Sequence, residues 1–340
     1  MQSESRESVL VLFGASGNSG RELAREYLRA GWNVVGVGRT RPEISHKRWH
    51  FISGDIRSKN TFSLLPERAD LVVNFAAVQP SISPITEEDH FEDHMRLYLE
   101  TNVFGTSNIL NYVRKRSVGT YIFATTHRDI EGHWANGRFL RNDLPTDINF
   151  QGDHVLYAIT KESGRMLGEY YAGHDGLRVF NLRLPMMFMV PDSPLYLRDG
   201  AQHVMPFLKI IRDASEGKDL EIWGDPTLKR DYVHVANLLQ LVRLCFSSGL
   251  RGGTFSVGTG EAVTADRFVR AISHTFSPDG HETRFHYKPE KRTYKSAIYD
   301  VSEQRDLLGY NPILLDEMLT LIKSSLVAQN KFESWGWSNV

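Results

Sequence analysis

The chain has 340 residues, with 40 Lys and Arg against 41 Asp and Glu, a formal charge of −1 at pH 7. That length supports one large or two modest domains with a proper core, and the charge balance gives no sign of a nucleic-acid or membrane-surface partner. A single cysteine, Cys245, excludes an internal disulfide and a Cys-based zinc cage.

The opening MQSESRES lacks an apolar signal core, and no apolar run approaches about 20 residues, so a cytoplasmic soluble protein is expected. SVLVLF reads as a strand and leads into GASGNSG, where Gly14, Gly17 and Gly20 are spaced three apart before a helical stretch, GRELAREYLRAG. In that stretch Leu23, Tyr27 and Leu28 share one face and Gly31 suits a C-cap. A glycine turn between strand and helix lets backbone approach a pyrophosphate at the helix N-terminus, with Ser16 and Asn18 beside it. The bland alternative is a turn without a ligand.

WNVVGVG, HFISGD and ADLVVNFAA are the next three expected strands. Asp55 and Ile56 of GDI follow the third, where an acid can meet adenine, and Ala76 and Ala77 of NFAA end the fourth. MRLYLETNVFGTSNILNYVRKR is expected as one long helix, GTYIFATT as a strand, YAITKESGRMLGEYYAG as a helix and LRVFNLRLP as a strand. Strands alternating with helices indicate a doubly wound parallel α/β sheet, a Rossmann fold. The later rhythm is looser: VMPFLKIIRDASEG is helical, LEIWGD a short strand, and RDYVHVANLLQLVRLCF a strand with an apolar helix. The expected division is a dinucleotide-binding domain over 1–185 and a smaller, mainly substrate-binding α/β lobe over 186–340, with segments near 231–257 and 294–302 returning to the first.

Tyr157 and Lys161 lie four apart on one helix face. An ammonium near a phenol favours phenolate and equips the tyrosine to exchange a proton; the alternative is an exposed helical pair. Tyr287 and Lys291 repeat the spacing, but Pro289 between them argues against a helix. Thr125 and Thr126 end YIFATT at the sheet edge where open α/β sheets bind ligands. One of the two hydroxyls can serve a substrate oxygen, the other only β-propensity.

With GASGNSG, GDI, NFAA, TNVFGTSNIL, YIFATT, YAITK, LRVFNLRLP, KRDYVHVANLLQLV, TFSVGTGEAVTADRFV and KRTYKSAIYDVSEQRDLLGYNP in this order, nearly the whole chain resembles the extended short-chain dehydrogenase/reductase family of nucleotide-sugar epimerases, dehydratases and reductases. The resemblance implies Tyr157 as general acid/base, Lys161 on the nicotinamide ribose and lowering the tyrosine pKa, Thr126 as their hydroxyl partner and Asn102 near the cofactor. It offers Arg230 and Arg292 to a nucleotide diphosphate, each otherwise an ion-pairing arginine, and it implies a homodimer through paired helices.

Three departures stand out. His127 and Arg128 follow Thr126 where 4,6-dehydratases of the family carry Asp-Glu, so dehydration requires Asp129 or Glu131 to substitute. Met186 replaces a phosphate-holding asparagine in RLPMMFMVP. Ala236 and Asn237 stand where acids are common. His127, Arg128 and His133 are substrate-side candidates or plain loop residues. No metal-ligand spacing is present.

The second strand ends VVGVGRTRPEI, with no acid before Glu43. An acid here would accept from the adenosine ribose. Gly38 instead removes bulk, and Arg39 and Arg41 offer forks to a 2′-phosphate, which favours NADP(H) over NAD(H). Solvated loop arginines in an NAD enzyme are the alternative. The expected activity is therefore NADP(H)-dependent reduction of a keto group on a nucleotide-linked sugar. An epimerase with a retained cofactor, and a non-catalytic member of the fold, are the alternatives.

Overall fold

Seven strands form the main sheet of the computed structural model: β1 (Val9–Phe13), β2 (Asn33–Gly38), β3 (Trp49–Ser53), β4 (Leu71–Asn74), β5 (Thr120–Thr126), β6 (Val179–Leu184) and β7 (Gly252–Ser256). Their order is β7-β6-β5-β4-β1-β2-β3, and every pairing from β3 to β6 is parallel. The structure describes residues 7–79, 91–151, 154–198, 201–293 and 295–337. Most of the polar opening, and Tyr294 at the start of the expected 294–302 return, lie outside these residues.

The strands read as continuous apolar runs because helices cover both faces. α1 (Asn18–Arg29) buries Leu23, Tyr27 and Leu28, the stripe its 3.6-residue period sets, and Gly31 follows it at φ +84°. α2 (Lys59–Ser63) is short. The long helix expected after β4 divides into α3 (Phe91–Tyr98), a π-helical segment Leu99–Gly105 and α4 (Thr106–Lys115). α5 (Val155–Asp175) carries the YAITK motif. It packs closely on the sheet because a Cβ on Gly164 would lie 2.7 Å from the Phe123 ring.

Register places the chemistry. Phe13 pairs with Val37 and with Asn74, and Asn74 with Phe123, so β1, β2 and β4 end close to one level at the glycine turn. β5 runs three residues further, to Thr126 opposite Leu184.

The chain divides into two compact units, residues 1–132, 145–184 and 238–255, and residues 133–144, 185–237 and 256–340. Residues 238–255 thus return to the sheet unit, whereas the described part of 294–302 and the 231–237 stretch belong to the second unit, unlike the division expected from sequence. In that second unit, helices Pro206–Ser215, Ala265–Phe276 and Leu315–Ala328 share a core with Phe188, Ile222 and Phe332. Tyr232 stacks on Phe268 with ring centroids 3.9 Å apart. Asp231 is buried, and its carboxylate accepts from Thr259 N and Oγ1 and from Gly260 N; burial nevertheless pushes it up to about 6. Asn237 replaces an acid for a structural reason: its amide donates to Ile313 O and accepts from Ile313 N. Tyr287 lies in strand Phe285–Lys288 and donates to Asp266, so its spacing to Lys291 is not helical. No described helix is long and apolar enough to cross a membrane.

Candidate active site

The glycine turn has three different physical reasons for its three glycines. Gly14 sits at φ +80°, and a Cβ there would lie 2.6 Å from Ala76 N, a backbone conformation and a contact that only glycine accepts. A Cβ on Gly20 would lie 2.3 Å from Gly14 O, so this glycine lets the helix close on the turn. Gly17 is exposed, and its nearest obstacle is Gly14 O at 3.4 Å, so its missing side chain leaves an open approach. Gly17 is also the N-cap of α1, which has no side-chain cap and no acid in its first turn. Unsatisfied N–H groups and the positive end of the helix therefore face outward beside an open backbone, the arrangement that suits a pyrophosphate.

Ala76 N donates to Asn74 Oδ1, and Asn74 Nδ2 donates to the Tyr121 hydroxyl, which fixes the end of β4 next to Gly14. Ile56 is buried and packs where a Cβ on Gly105 would reach it at 2.6 Å. Ala77 is half-buried in the same segment as Ala76. Asn102, inside the π-helical segment, ties three elements together. It accepts from Val78 N at 2.8 Å and donates to Val78 O and to Thr160 Oγ1 of α5. A π-helical turn often marks a functional position, and here it aims one buried amide between the β4 loop and α5.

Asp55 is held by Arg57, whose guanidinium donates to both carboxylate oxygens. Those hydrogen bonds hold the acid below its ordinary range. Sequence reading missed this partner, although Asp-x-Arg after a strand was its signal. Arg39 and Arg41 are exposed at the end of β2, and neither has a hydrogen bond or ion pair among the described residues, though Arg39 is near enough to act on Asp55 electrostatically. The space at Gly38, which the sequence reading left open for a phosphate, is taken up by Ser16. A Cβ there would lie 2.5 Å from Ser16 Oγ and 3.6 Å from the Phe51 ring, so a side chain at this position would have to displace the Ser16 hydroxyl.

β5 and α5 bring Thr126, Tyr157 and Lys161 into one region. The Tyr157 hydroxyl hydrogen-bonds Thr126, whose Oγ1 also accepts from Arg128 N at 3.2 Å. Thr125 is buried with its hydroxyl unpaired, so Thr126 is the member of the pair that meets the tyrosine. Lys161 is 2% exposed, and its Nζ lies 4.1 Å from the Phe123 ring centroid with no hydrogen bond among the described residues.

The electrostatics differ from the sequence expectation. Burial, with a smaller push from Tyr98, raises Tyr157 to about 12 against the pull of Thr126 and Arg128. Burial lowers Lys161 to about 7. Desolvation is the largest influence on both groups, and no pull from Lys161 on the Tyr157 hydroxyl accompanies it. The buried lysine has a thermodynamic signature. Between about 7 and its ordinary 10.5 the unfolded chain binds a proton at this residue that the folded chain does not, so stability rises with pH across that window. Chemical denaturation of the wild type at pH 7 and pH 9 is expected to reveal this rise, and Lys161→Met is expected to flatten it; an equal slope in both proteins would refute the assignment.

Beyond Thr126 the chain forms the 3₁₀-helical turn His127–His133. His127 and Arg128 are half-buried, and Arg128 bonds Glu131 at 2.7 Å. Asp129 is fully buried, and Arg183 at the end of β6 donates to its Oδ2 at 2.7 Å. Asn149 donates to Glu131, and backbone bonds Gly132 N to Asp147 O and Asp147 N to Asp129 O clip the turn down. Arginines thus engage both acids that could stand in for the dehydratase Asp-Glu pair, while Asp129 Oδ1 is buried without a hydrogen bond among the described residues. This buried network also escaped sequence reading.

His133 begins the second unit. Within that unit Arg230 lies in strand Lys229–Arg230, 6.0 Å from the Tyr232 ring centroid, while Arg292 and Met186 are exposed. Among the described residues no cluster of His, Cys, Asp and Glu could hold a metal ion.

The open Gly17 approach, the uncapped α1 terminus and a buried lysine lacking an acceptor among the described residues fit a dinucleotide. Comparison with known proteins agrees with this geometry. The chain is 24% identical over 319 residues to an uncharacterized UDP-glucose epimerase, YtcB, of Bacillus subtilis, covering 89% of this chain and 92% of that protein. It is 23% identical over 315 residues to a dTDP-4-dehydro-6-deoxy-D-allose reductase of a Streptomyces species, covering 89% and 91%. Among solved structures, MoeE5 in complex with UDP-glucuronic acid and NAD superposes with a TM-score of 0.71 at 24% identity, covering 95% of this chain and 99% of that one. Residues 10–258 match the model of the NAD dependent epimerase/dehydratase family. With that match spanning most of its length, the chain belongs to the NAD dependent epimerase/dehydratase family of enzymes.

Proposed function

We propose that this enzyme reduces a keto group on a nucleotide-linked sugar with NADP(H). The observation that carries the cofactor half of this reading is the end of β2, where Arg39 and Arg41 stand exposed and no acid precedes Glu43. An acid there would repel a 2′-phosphate, whereas a guanidinium binds it through charge-assisted hydrogen bonds. The nucleotide-sugar half rests on family membership and on relatives whose names specify such substrates.

When bound, the reduced nicotinamide supplies a hydride to the carbonyl carbon. The chain's own residues then have distinct tasks. Gly17 and the first turn of α1 hold the pyrophosphate. Lys161, buried and without an acceptor among the described residues, donates to ribose hydroxyls. Thr126 donates to the carbonyl oxygen, and Tyr157, protonated at neutral pH, delivers its proton there to complete the alcohol. A high tyrosine pKa suits this direction, because the residue enters the cycle as an acid. Arg230 and Arg292 are assigned to the substrate diphosphate and His127 to the sugar side.

Epimerisation with a retained cofactor is the second reading, supported by the epimerase among the relatives. The exposed Leu99, Phe104, Ile159, Met166 and Tyr170 support a homodimer through the α3–α5 helices.

Titration with NADPH and NADH, followed by turnover of 4-keto and unmodified sugar nucleotides, separates these readings. Loss of NADPH absorbance matched by a product heavier by two hydrogens is expected. Tightly bound NAD, with an isomeric product and no consumption of reductant, would replace the reductase by the epimerase.

A further inference from the structure

We infer that Ser16 governs cofactor choice by fixing the chain segment on which Arg39 stands. This inference rests on the assignment of Arg39 to the 2′-phosphate. The glycine turn and the end of β2 are laced together at several points. Val37 O accepts from both Gly14 N and Ala15 N. One residue before Arg39, Gly38 O accepts from Gly54 N. One residue after it, Thr40 O accepts from the Ser16 hydroxyl. Arg39 is therefore flanked by two carbonyls that the rest of the fold holds, one from the β3 side and one from the glycine turn. Arg21 in turn donates to Ser16 O at 2.6 Å, which anchors the serine's own backbone to α1.

The same serine constrains position 38. With a Cβ on Gly38 only 2.5 Å from Ser16 Oγ, any side chain there must displace the hydroxyl from its place. Because that hydroxyl holds Thr40 O, an acid installed at 38 would both face the ribose and loosen the segment carrying Arg39. Ser16 and Gly38 thus form a coupled pair that keeps an arginine and excludes an acid. Ser16 is a positioning residue here, acting through Arg39.

The test measures dissociation constants of NADP+ and NAD+ by calorimetry for the wild type, Ser16→Ala, Arg39→Ala and the double variant, and reads the ratio of the two constants. Removing the arginine is expected to reduce the NADP+ preference by about ten- to a hundredfold, the scale of a charge-assisted contact. Ser16→Ala is expected to reduce it by about three- to tenfold with Arg39 present and not at all with Arg39 absent, since coupled residues fail to add. Gly38→Asp is expected to bind both cofactors poorly, and Ser16→Gly with Gly38→Asp to recover NAD+.

An unchanged ratio in Ser16→Ala, in a wild type that prefers NADP+, overturns the positioning role alone. Equal effects of Ser16→Ala with and without Arg39 also overturn it, because the serine would then act on the cofactor by itself. A wild type that prefers NAD+ overturns the Arg39 assignment and this inference with it.

Discussion

Tyr157→Phe is expected to lower turnover by about 10²- to 10⁴-fold, the contribution of a positioned general acid, while NADP(H) binding is retained. The substitution removes one oxygen and leaves the ring. That oxygen is the one bonded to Thr126, at the end of the strand that runs three residues past β4. The two acids of the turn that follows have other partners: Asp129 is bonded to Arg183, and Glu131 to Arg128 and Asn149. Single-turnover kinetics with NADPH prebound would measure the chemical step directly, and fluorescence titration would measure cofactor affinity. Turnover within a few-fold of wild type would remove Tyr157 from its assigned role.

Arg183→Leu is expected to cost about 3–5 kcal/mol of stability, because it leaves the Asp129 carboxylate buried without its cation. The pair is 3% and 0% exposed, and its Nε–Oδ2 distance is 2.7 Å. Already, burial pushes Asp129 up to about 6 against the pull of Arg183. Replacing both partners with leucine is expected to recover most of the loss, since two apolar groups carry no desolvation penalty. Urea unfolding of the two singles and the double variant closes the cycle. A single variant within about 0.5 kcal/mol of wild type would mean that the pair is solvated enough to be ordinary surface charge. The same variants read out function, because Asp129 lies in the turn that directly follows Thr126.

How far the sequence reached can be judged from particular residues. The alternation of apolar strands with amphipathic helices was legible because burial on both sheet faces and a 3.6-residue stripe each leave a local pattern, as in VLVLF and in Leu23, Tyr27 and Leu28. Gly14, Gly17 and Gly20 were legible as a set. Their separate reasons were not, because one depends on the approach of Ala76, one on Gly14 itself and one on open space. The π-helical segment at Asn102 was hidden inside an unbroken helical pattern, since its widened turn is maintained by bonds to Val78 and Thr160 from elsewhere in the chain.

Gly38 marks the limit most clearly. Read along the chain, its lack of a side chain looked like room for a phosphate; in three dimensions that room is filled by Ser16 and Phe51. Arg39 and Arg41 are exposed at the end of β2, and their assignment to a 2′-phosphate belongs to the proposed function. By itself, then, the order of residues determined the strand–helix rhythm, the glycine turn and the Tyr157–Lys161 spacing, because each is written within a few consecutive positions. The tertiary structure brings Thr126, the member of the pair that the resemblance implied, to the tyrosine, and only it decided that burial pushes the phenol up and that Arg183 pairs with Asp129 Oδ2. Those outcomes depend on register between strands and on how completely water is excluded, and both are properties of segments brought together from distant parts of the chain.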